Sequence, residues 1–193
     1  MAYATLVTLK QYMGVSEEAD DTLLEAILDR AQRAIEVYTG YVFEAESETR
    51  YYDQSAVNGL TLHLDRPLLT VTTLLEGDDD TTADKTTISS DDYWLQPRNE
   101  GPPYWRIQIK VNATPSWSFT TDGWIEVEGT WGYSTTAPND VVQACIRWAA
   151  YMYRQKDASV FEVTAMPGAG VIQIPEGIPK DVRMLLAPYR SPL

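Results

Sequence analysis

Cysteine and histidine are nearly missing from this chain: one of each occurs, Cys145 and His63. A single cysteine excludes an internal disulfide and a cysteine-based zinc site. His63 sits in the alternating Leu62-His63-Leu64 pattern of a strand, which makes most histidine-dependent chemistry unexpected. Long apolar runs are missing too. No stretch approaches the roughly 18 consecutive apolar residues of a membrane span. Met1 to Lys10 has no basic segment followed by an apolar one, so synthesis in a cytoplasm-like compartment is expected. Basic residues are scarce: 15 Lys and Arg against 28 Asp and Glu give a formal net charge of −13. Such a surface repels a phosphate backbone and argues against a DNA-binding module. It is compatible with ordinary solubilising charge and also with the wall of a pore through which DNA slides.

The signatures of catalysis are equally thin. There is no phosphate-binding glycine loop, no metal-ligand spacing and no nucleophile elbow. Asp78, Asp79 and Asp80 with Asp84 suggest calcium, but they lack the alternate ligands and closing glutamate of an EF-hand, so an exposed hairpin loop is the expectation. Asp91 and Asp92 read as a turn before Tyr93. No catalytic residue, cofactor or metal is expected.

What is present is enough to fold: 193 residues, 44% hydrophobic, fill a core. Thr8 with Gln11 has capping-box form and Gly14 offers a C-cap, which predicts a short helix over Leu9 to Met13. Asp20 or Asp21 opens a longer one, in which Leu24, Ile27, Leu28, Ala31 and Ile35 recur at helical spacing until Gly40 stops it. From Tyr41 to Tyr133 the period becomes twofold. Strands are predicted at Glu48 to Tyr52, Leu60 to Leu64, Leu69 to Leu75, Tyr93 to Gln96, Tyr104 to Val111 and Trp124 to Trp131. Trp105, Ile107, Ile109 and Val111 alternate toward a core, and a small sandwich or barrel fits this stretch. Helix returns after Pro138, where Val141, Cys145, Ile146 and Ala149 form a stripe, and this helix pairs with the first long one. On that stripe Cys145 reads as a small buried hydrophobe. The fold class is thus α+β: an antiparallel helical core (1–40 and 135–157), an inserted antiparallel β domain (41–134), and a C-terminal arm with a short helix opened by Pro179 (158–193). The arm is rich in glycine and proline yet carries Val171, Ile172 and Ile174. Its terminal helix either docks on a partner or packs back on its own domain.

Six tryptophans and twelve tyrosines raise a different reading, a carbohydrate-binding sandwich with exposed rings. Trp105 and Trp131 fall in phase with apolar neighbours, which leaves Trp94, Trp117 and Trp124 as candidate stacking platforms.

Four segments carry a family resemblance: Leu23 to Gly40 (LLEAILDRAQRAIEVYTG), Leu64 to Leu69 (LDRPLL), Gly129 to Ser134 (GTWGYS) followed by Pro138, Asp140 and Val141, and Ile178 to Arg190 (IPKDVRMLLAPYR). In this order they resemble the gp6-like head-tail connector, or adaptor, proteins of tailed phages. The resemblance implies a structural subunit without enzyme activity, a homo-oligomeric ring of about twelve copies in the virion neck, built from heterologous contacts. It implies partners above and below: the portal protein, and the next neck or tail-completion protein, with DNA passing non-specifically through the channel and no membrane contact. It places portal docking on Val171, Ile172, Ile174, Val182, Leu185, Leu186 and Tyr189, while net charge alone suggests Asp78, Asp79 and Asp80 as channel-lining acids. A tail-completion ring without a portal contact is the related alternative. The large β insertion departs from the mostly helical simplest members, and it either joins the ring contacts, faces outward as a collar or receives another neck protein.

Overall fold

The computed structural model describes residues 3–77, 85–114, 116–117, 123–157, 164–166, 170–172 and 177–190. The chain divides into two compact units, one formed by Met1–Gly40 with Ala137–Leu193 and the other by Tyr41–Thr136.

The first unit is helical. Helix α1 spans Leu6–Met13 and starts earlier than Thr8 suggests, because Thr5 is the N-cap. The Thr5 hydroxyl accepts from the Thr8 amide and the Thr8 hydroxyl accepts from the Thr5 amide, a capping box closed by two threonines. Gly14 ends the helix in the left-handed region at φ 71. Helix α2 covers Asp21–Thr39 and stops at Gly40, also left-handed. Leu24, Ile27, Leu28, Ala31 and Ile35 are buried along one face, while Glu25, Asp29, Arg30 and Arg33 stand in solvent on the other. Helix α3, Asn139–Asp157, begins with the Val142 amide donating to the Pro138 carbonyl at 2.9 Å. It buries Val141, Ala144, Cys145, Trp148 and Ala149. Each leucine-sized side chain removed from water here contributes about 1.5–3 kcal/mol, so the facing stripes of α2 and α3 supply most of this unit's cohesion. The unit also contains β8 (Thr164–Met166) and β9 (Gly170–Ile172), paired antiparallel as a two-stranded ribbon, and helix α4 (Lys180–Leu186) followed by a 3-10 turn, Ala187–Tyr189.

The second unit is one antiparallel sheet. Its strands are β1 (Glu46–Tyr52), β2 (Val57–Asn58), β3 (Thr61–Gly77), β4 (Thr86–Thr87), β5 (Tyr93–Gln96), β6 (Tyr104–Ile109) and β7 (Trp124–Trp131). The main order is β1-β7-β3-β6-β5, with β2 and β4 also on β3. Two strands expected over Leu60 to Leu64 and Leu69 to Leu75 are a single strand of 17 residues. Register shifts interrupt it between His63 and Leu68 and again between Leu68 and Thr70 and between Val71 and Thr73. Such shifts bend a strand and strengthen its twist. One bent strand therefore pairs with β6 through its first part and with β7 through its second, so a single continuous sheet builds the stretch expected to be a small sandwich or barrel. The inner face buries Leu62, Leu68, Leu74, Ile107, Ile109, Ile125, Val127 and Trp131. Val111 departs from the expected alternation: β6 ends at Ile109, and Val111 is 84% exposed in the following turn.

Candidate functional site

The residues expected to dock a partner fall into three groups. Asp78, Asp79, Asp80 and Ile174 lie outside the described residues. Val171 and Ile172 are in β9, opposite Ala165 and Thr164 of β8. Val182 and Leu186 are fully buried in their own unit, on a helix packed against α3, whereas Leu185 and Tyr189 are partly exposed. The terminal helix thus packs back on its own unit. The physical reason is its apolar spacing: Val182 and Leu186 stand four residues apart on one face of α4, and that face is covered within the chain. Arg147 of α3 reinforces the packing with an ion pair to Asp181 at 3.0 Å. Burial works to raise the Asp181 carboxyl, but the Arg147 bond together with backbone hydrogen bonds at Val182 and Asp181 and the Arg147 charge outweighs it and holds the group below the usual range.

Next to this helix the unit has a cleft of about 540 Å³ lined by Val37, Tyr38, Trp148, Ile178 and Arg190 among others. Val37 is 74% exposed. The Arg190 guanidinium lies 5.7 Å from the Tyr38 ring centroid, a cation–π contact that covers one wall. The cleft combines residues distant in sequence, which is why periodicity alone does not reveal it.

At the other end of α2, Asp20 does not cap the helix with its side chain. Instead its Oδ2 accepts from the Tyr153 hydroxyl at 2.6 Å and from Lys156 Nζ at 2.9 Å, tying the start of α2 to the end of α3. The Tyr153 bond, then the Lys156 bond, hold this carboxyl below the ordinary value. Cys145 is buried, and desolvation pushes its thiol up to about 12, so it is a packed apolar group and not a thiolate. Among the described residues no group of three His, Cys, Asp or Glu is arranged to hold a metal ion. No helix among them is long and apolar enough to cross a membrane.

The three candidate platform tryptophans do not form a common surface. Trp117 is partly buried against the sheet core, and its Nε1 donates to the Leu60 carbonyl at 3.0 Å. Trp124 is partly buried, packed on Tyr51 at 4.9 Å between centroids. Only Trp94 is substantially exposed, at 38%, and two cations lie over its ring, Arg98 at 3.7 Å and Lys110 at 4.0 Å from the centroid. A sugar approaching that ring meets a guanidinium and an ammonium in place of an open face.

At the margin of the sheet's core face a polar network spans β1 and β3, with Arg50 over the buried Trp131 ring and Tyr52 packed against the core. Arg50 pairs with Glu48 and, closely, with Asp65, while the Tyr52 hydroxyl donates to Asp65 at 2.6 Å. Burial works to raise the Asp65 carboxyl, but the Tyr52 and Arg50 hydrogen bonds prevail and lower it. Burial, and after it the same carboxylate, raise the Tyr52 phenol well above its usual range. Every charge here is answered by another, so this is a structural clasp and not a reactive centre.

The fold is thus a helical unit interrupted in sequence by an antiparallel sheet. Chains with this fold occur in the particles of gene transfer agents. One from the neck of an empty particle computed with C6 symmetry is 21% identical with TM-score 0.63, covering 97% of this chain and 89% of that one. One from the virion of the native particle is 23% identical with TM-score 0.61 over the same shares. One from the native neck computed with C12 symmetry is 20% identical with TM-score 0.55, covering 97% and 88%. No curated protein matches in sequence. The family model for head completion proteins matches residues 4–191, and the chain belongs to that family.

Proposed function

We propose that this chain is a structural, non-catalytic subunit of the neck of a tailed phage or phage-like particle, where copies form a ring beneath the portal and continue the DNA channel toward the tail. The observation that carries this reading is the head completion family match, which runs from residue 4 to residue 191 and so includes both units. The neck particles containing similar chains have sixfold or twelvefold symmetry, which suits a closed ring of heterologous contacts. In this reading the segment carrying Val171, Ile172 and Ile174 reaches the portal, with Leu185 and Tyr189 at the partly exposed side of α4; Val182 and Leu186 hold the helix to α3 meanwhile. Acids of the sheet unit, Asp78, Asp79 and Asp80 among them, face the channel, where negative charge keeps DNA from adhering.

The test is to mix the chain with the portal ring of the same particle and measure the mass of the product by light scattering, with electron microscopy to locate the added density. Stoichiometric addition of a ring to one end of the portal is the expected result. A chain that ignores the portal and binds the end of the tail tube is a tail-side completion ring instead. Truncation after Asp157 is expected to abolish portal binding, and unchanged binding would remove the arm from the contact.

A further inference from the structure

The sheet unit, residues 41–136, contains sixteen acidic side chains and only six basic ones. Arg50, Arg66 and Lys85 are engaged in ion pairs with Glu48, Asp65 and Glu126. Arg98, Arg106 and Lys110 make none with any described residue, although Asp91, Asp92 and Glu100 are close to them in sequence. The strand register gathers these three cations on one surface. In β5 and β6 the core takes Tyr93, Leu95, Ile107 and Ile109, so Trp94, Gln96, Arg106 and Gln108 face the other way. Trp94 is opposite Gln108, and Gln96 is opposite Arg106, which in turn is opposite the exposed His63 of β3. Gln96 Nε2 donates to Gln108 Oε1 at 3.0 Å and braces the middle of this face. Arg98, just past the end of β5, and Lys110, the residue after β6, both lie over the exposed Trp94 ring, 3.7 and 4.0 Å from its centroid. Lys110 is further positioned by donating to the Asp91 carbonyl oxygen.

The two charges over the ring are therefore within ~8 Å of each other, the Debye length at physiological salt, so their repulsion is hardly screened. The ring quadrupole compensates only in part. An anion that touches both relieves the rest. The remainder of the face decides which anion fits. Apart from Trp94, whose ring the cations cover, its strand residues offer amides, an imidazole and a guanidinium, and not the apolar anchors on which a protein partner depends. Guanidinium, ammonium and amide donors are the groups that take phosphate oxygens. A covered ring is no stacking platform for unpaired bases, which leaves the backbone of a duplex and binding without sequence preference. The acidity of the remaining chain does not forbid such a contact. Screening confines an exposed charge to about one Debye length, so a face whose strand residues include no carboxylate acts locally, while the acidic surroundings keep the contact weak.

We propose that Arg98, Arg106 and Lys110, set around Trp94 on the face of β5 and β6 away from the core, form a contact for the phosphate backbone of double-stranded DNA. This rests on the neck reading above, in which DNA passes the chain, and adds a weak point of contact to a channel wall that is otherwise repulsive.

The test is fluorescence anisotropy of a labelled duplex of arbitrary sequence, titrated with the full-length chain at about 50 to 200 mM salt. Three phosphate contacts give a slope of log K against log salt of about −2.7, which is about a fortyfold loss of affinity across that range. Arg98→Gln/Arg106→Gln leaves one contact, so the slope is expected to fall to about −0.9 and the affinity at the lowest salt to drop at least about tenfold. Arg30→Gln/Arg33→Gln removes the same charge from the solvent face of α2 and is expected to stay within about twofold of the parent. Circular dichroism establishes that both variants are folded, and the salt slope is a quantity that loss of packing alone does not move. Parent chain that binds no duplex, a slope unchanged in Arg98→Gln/Arg106→Gln, or equal losses in the two variants would overturn the contact. Poly-glutamate of the same charge binding as tightly as the duplex would also overturn it and reassign the patch to an acidic protein segment. The neck function is judged by the mass of the portal complex, so its failure and that of the DNA contact are read from different measurements.

Discussion

Gly129 has no room for a side chain. It sits in β7 with β1 on one side and β3 on the other, and a Cβ added there would overlap the backbone carbonyl oxygen of Thr70. A side-chain neighbour could rotate away, but a carbonyl held in a strand cannot. Gly129→Ala is therefore expected to destabilise the fold by about 1–3 kcal/mol, the range for overpacking a tight site, read as a lower denaturant midpoint with unchanged slope. The turn that follows is similar: Gly132 has φ 145, and a Cβ would overlap the Glu44 carbonyl oxygen. The GTWGYS segment that bears part of the family resemblance thus includes two glycines at close backbone approaches. The motif is legible in the sequence, while its steric cause needs the partner strand and the facing segment.

At the scale of elements, α2 and α3 are joined at one end by Asp20. Its carboxyl is lowered in the folded chain by Tyr153 and Lys156, so it binds fewer protons folded than unfolded at acidic pH. The stabilisation is complete above the unfolded value of about 3.9 and is lost as pH falls through the lower folded value. Asp20→Asn is accordingly expected to lower the melting temperature at neutral pH, and to leave the variant with less acid dependence than the parent below pH about 4. Equal pH profiles for the two proteins would show that the tie contributes nothing. The sequence marks Asp20 as a possible cap but gives no sign that its side chain turns to a residue over a hundred positions away. Periodicity succeeds where burial is one-sided and regular: β5 and β7 run over Tyr93–Gln96 and Trp124–Trp131, the bounds their alternation predicts, and α2 ends at Gly40. It fails where an element bends. The Leu64 to Leu69 segment, with Pro67, reads as a break, yet β3 continues through it because shifted register keeps pairing on both sides. It fails equally for sites built from distant residues, such as the cleft beside α4 and the cations over Trp94.

For the whole molecule, charge sets the terms of association. The net charge of −13 belongs mostly to the sheet unit, whose sixteen acidic and six basic side chains contrast with the nearly balanced remainder. Copies of such a chain repel one another at neutral pH, so they associate only where local complementarity or a template overcomes that repulsion. This makes non-productive clustering in solution unfavourable and leaves assembly to the correct surface. Acid removes the restraint. As pH approaches the sequence pI of 4.4 the net charge vanishes and solubility should pass through a minimum. The ties at Asp20 and Asp65 persist there, because both carboxyls sit below the ordinary range and remain ionised at that pH. Light scattering during an acid titration is thus expected to rise near pH 4.4, while the far-ultraviolet circular dichroism stays native and the rise reverses on returning to neutrality. If the helical signal is lost together with solubility, the association comes from unfolding and not from discharged native surfaces. A reversible rise with native signal instead means that repulsion between folded copies is what keeps them apart at neutral pH.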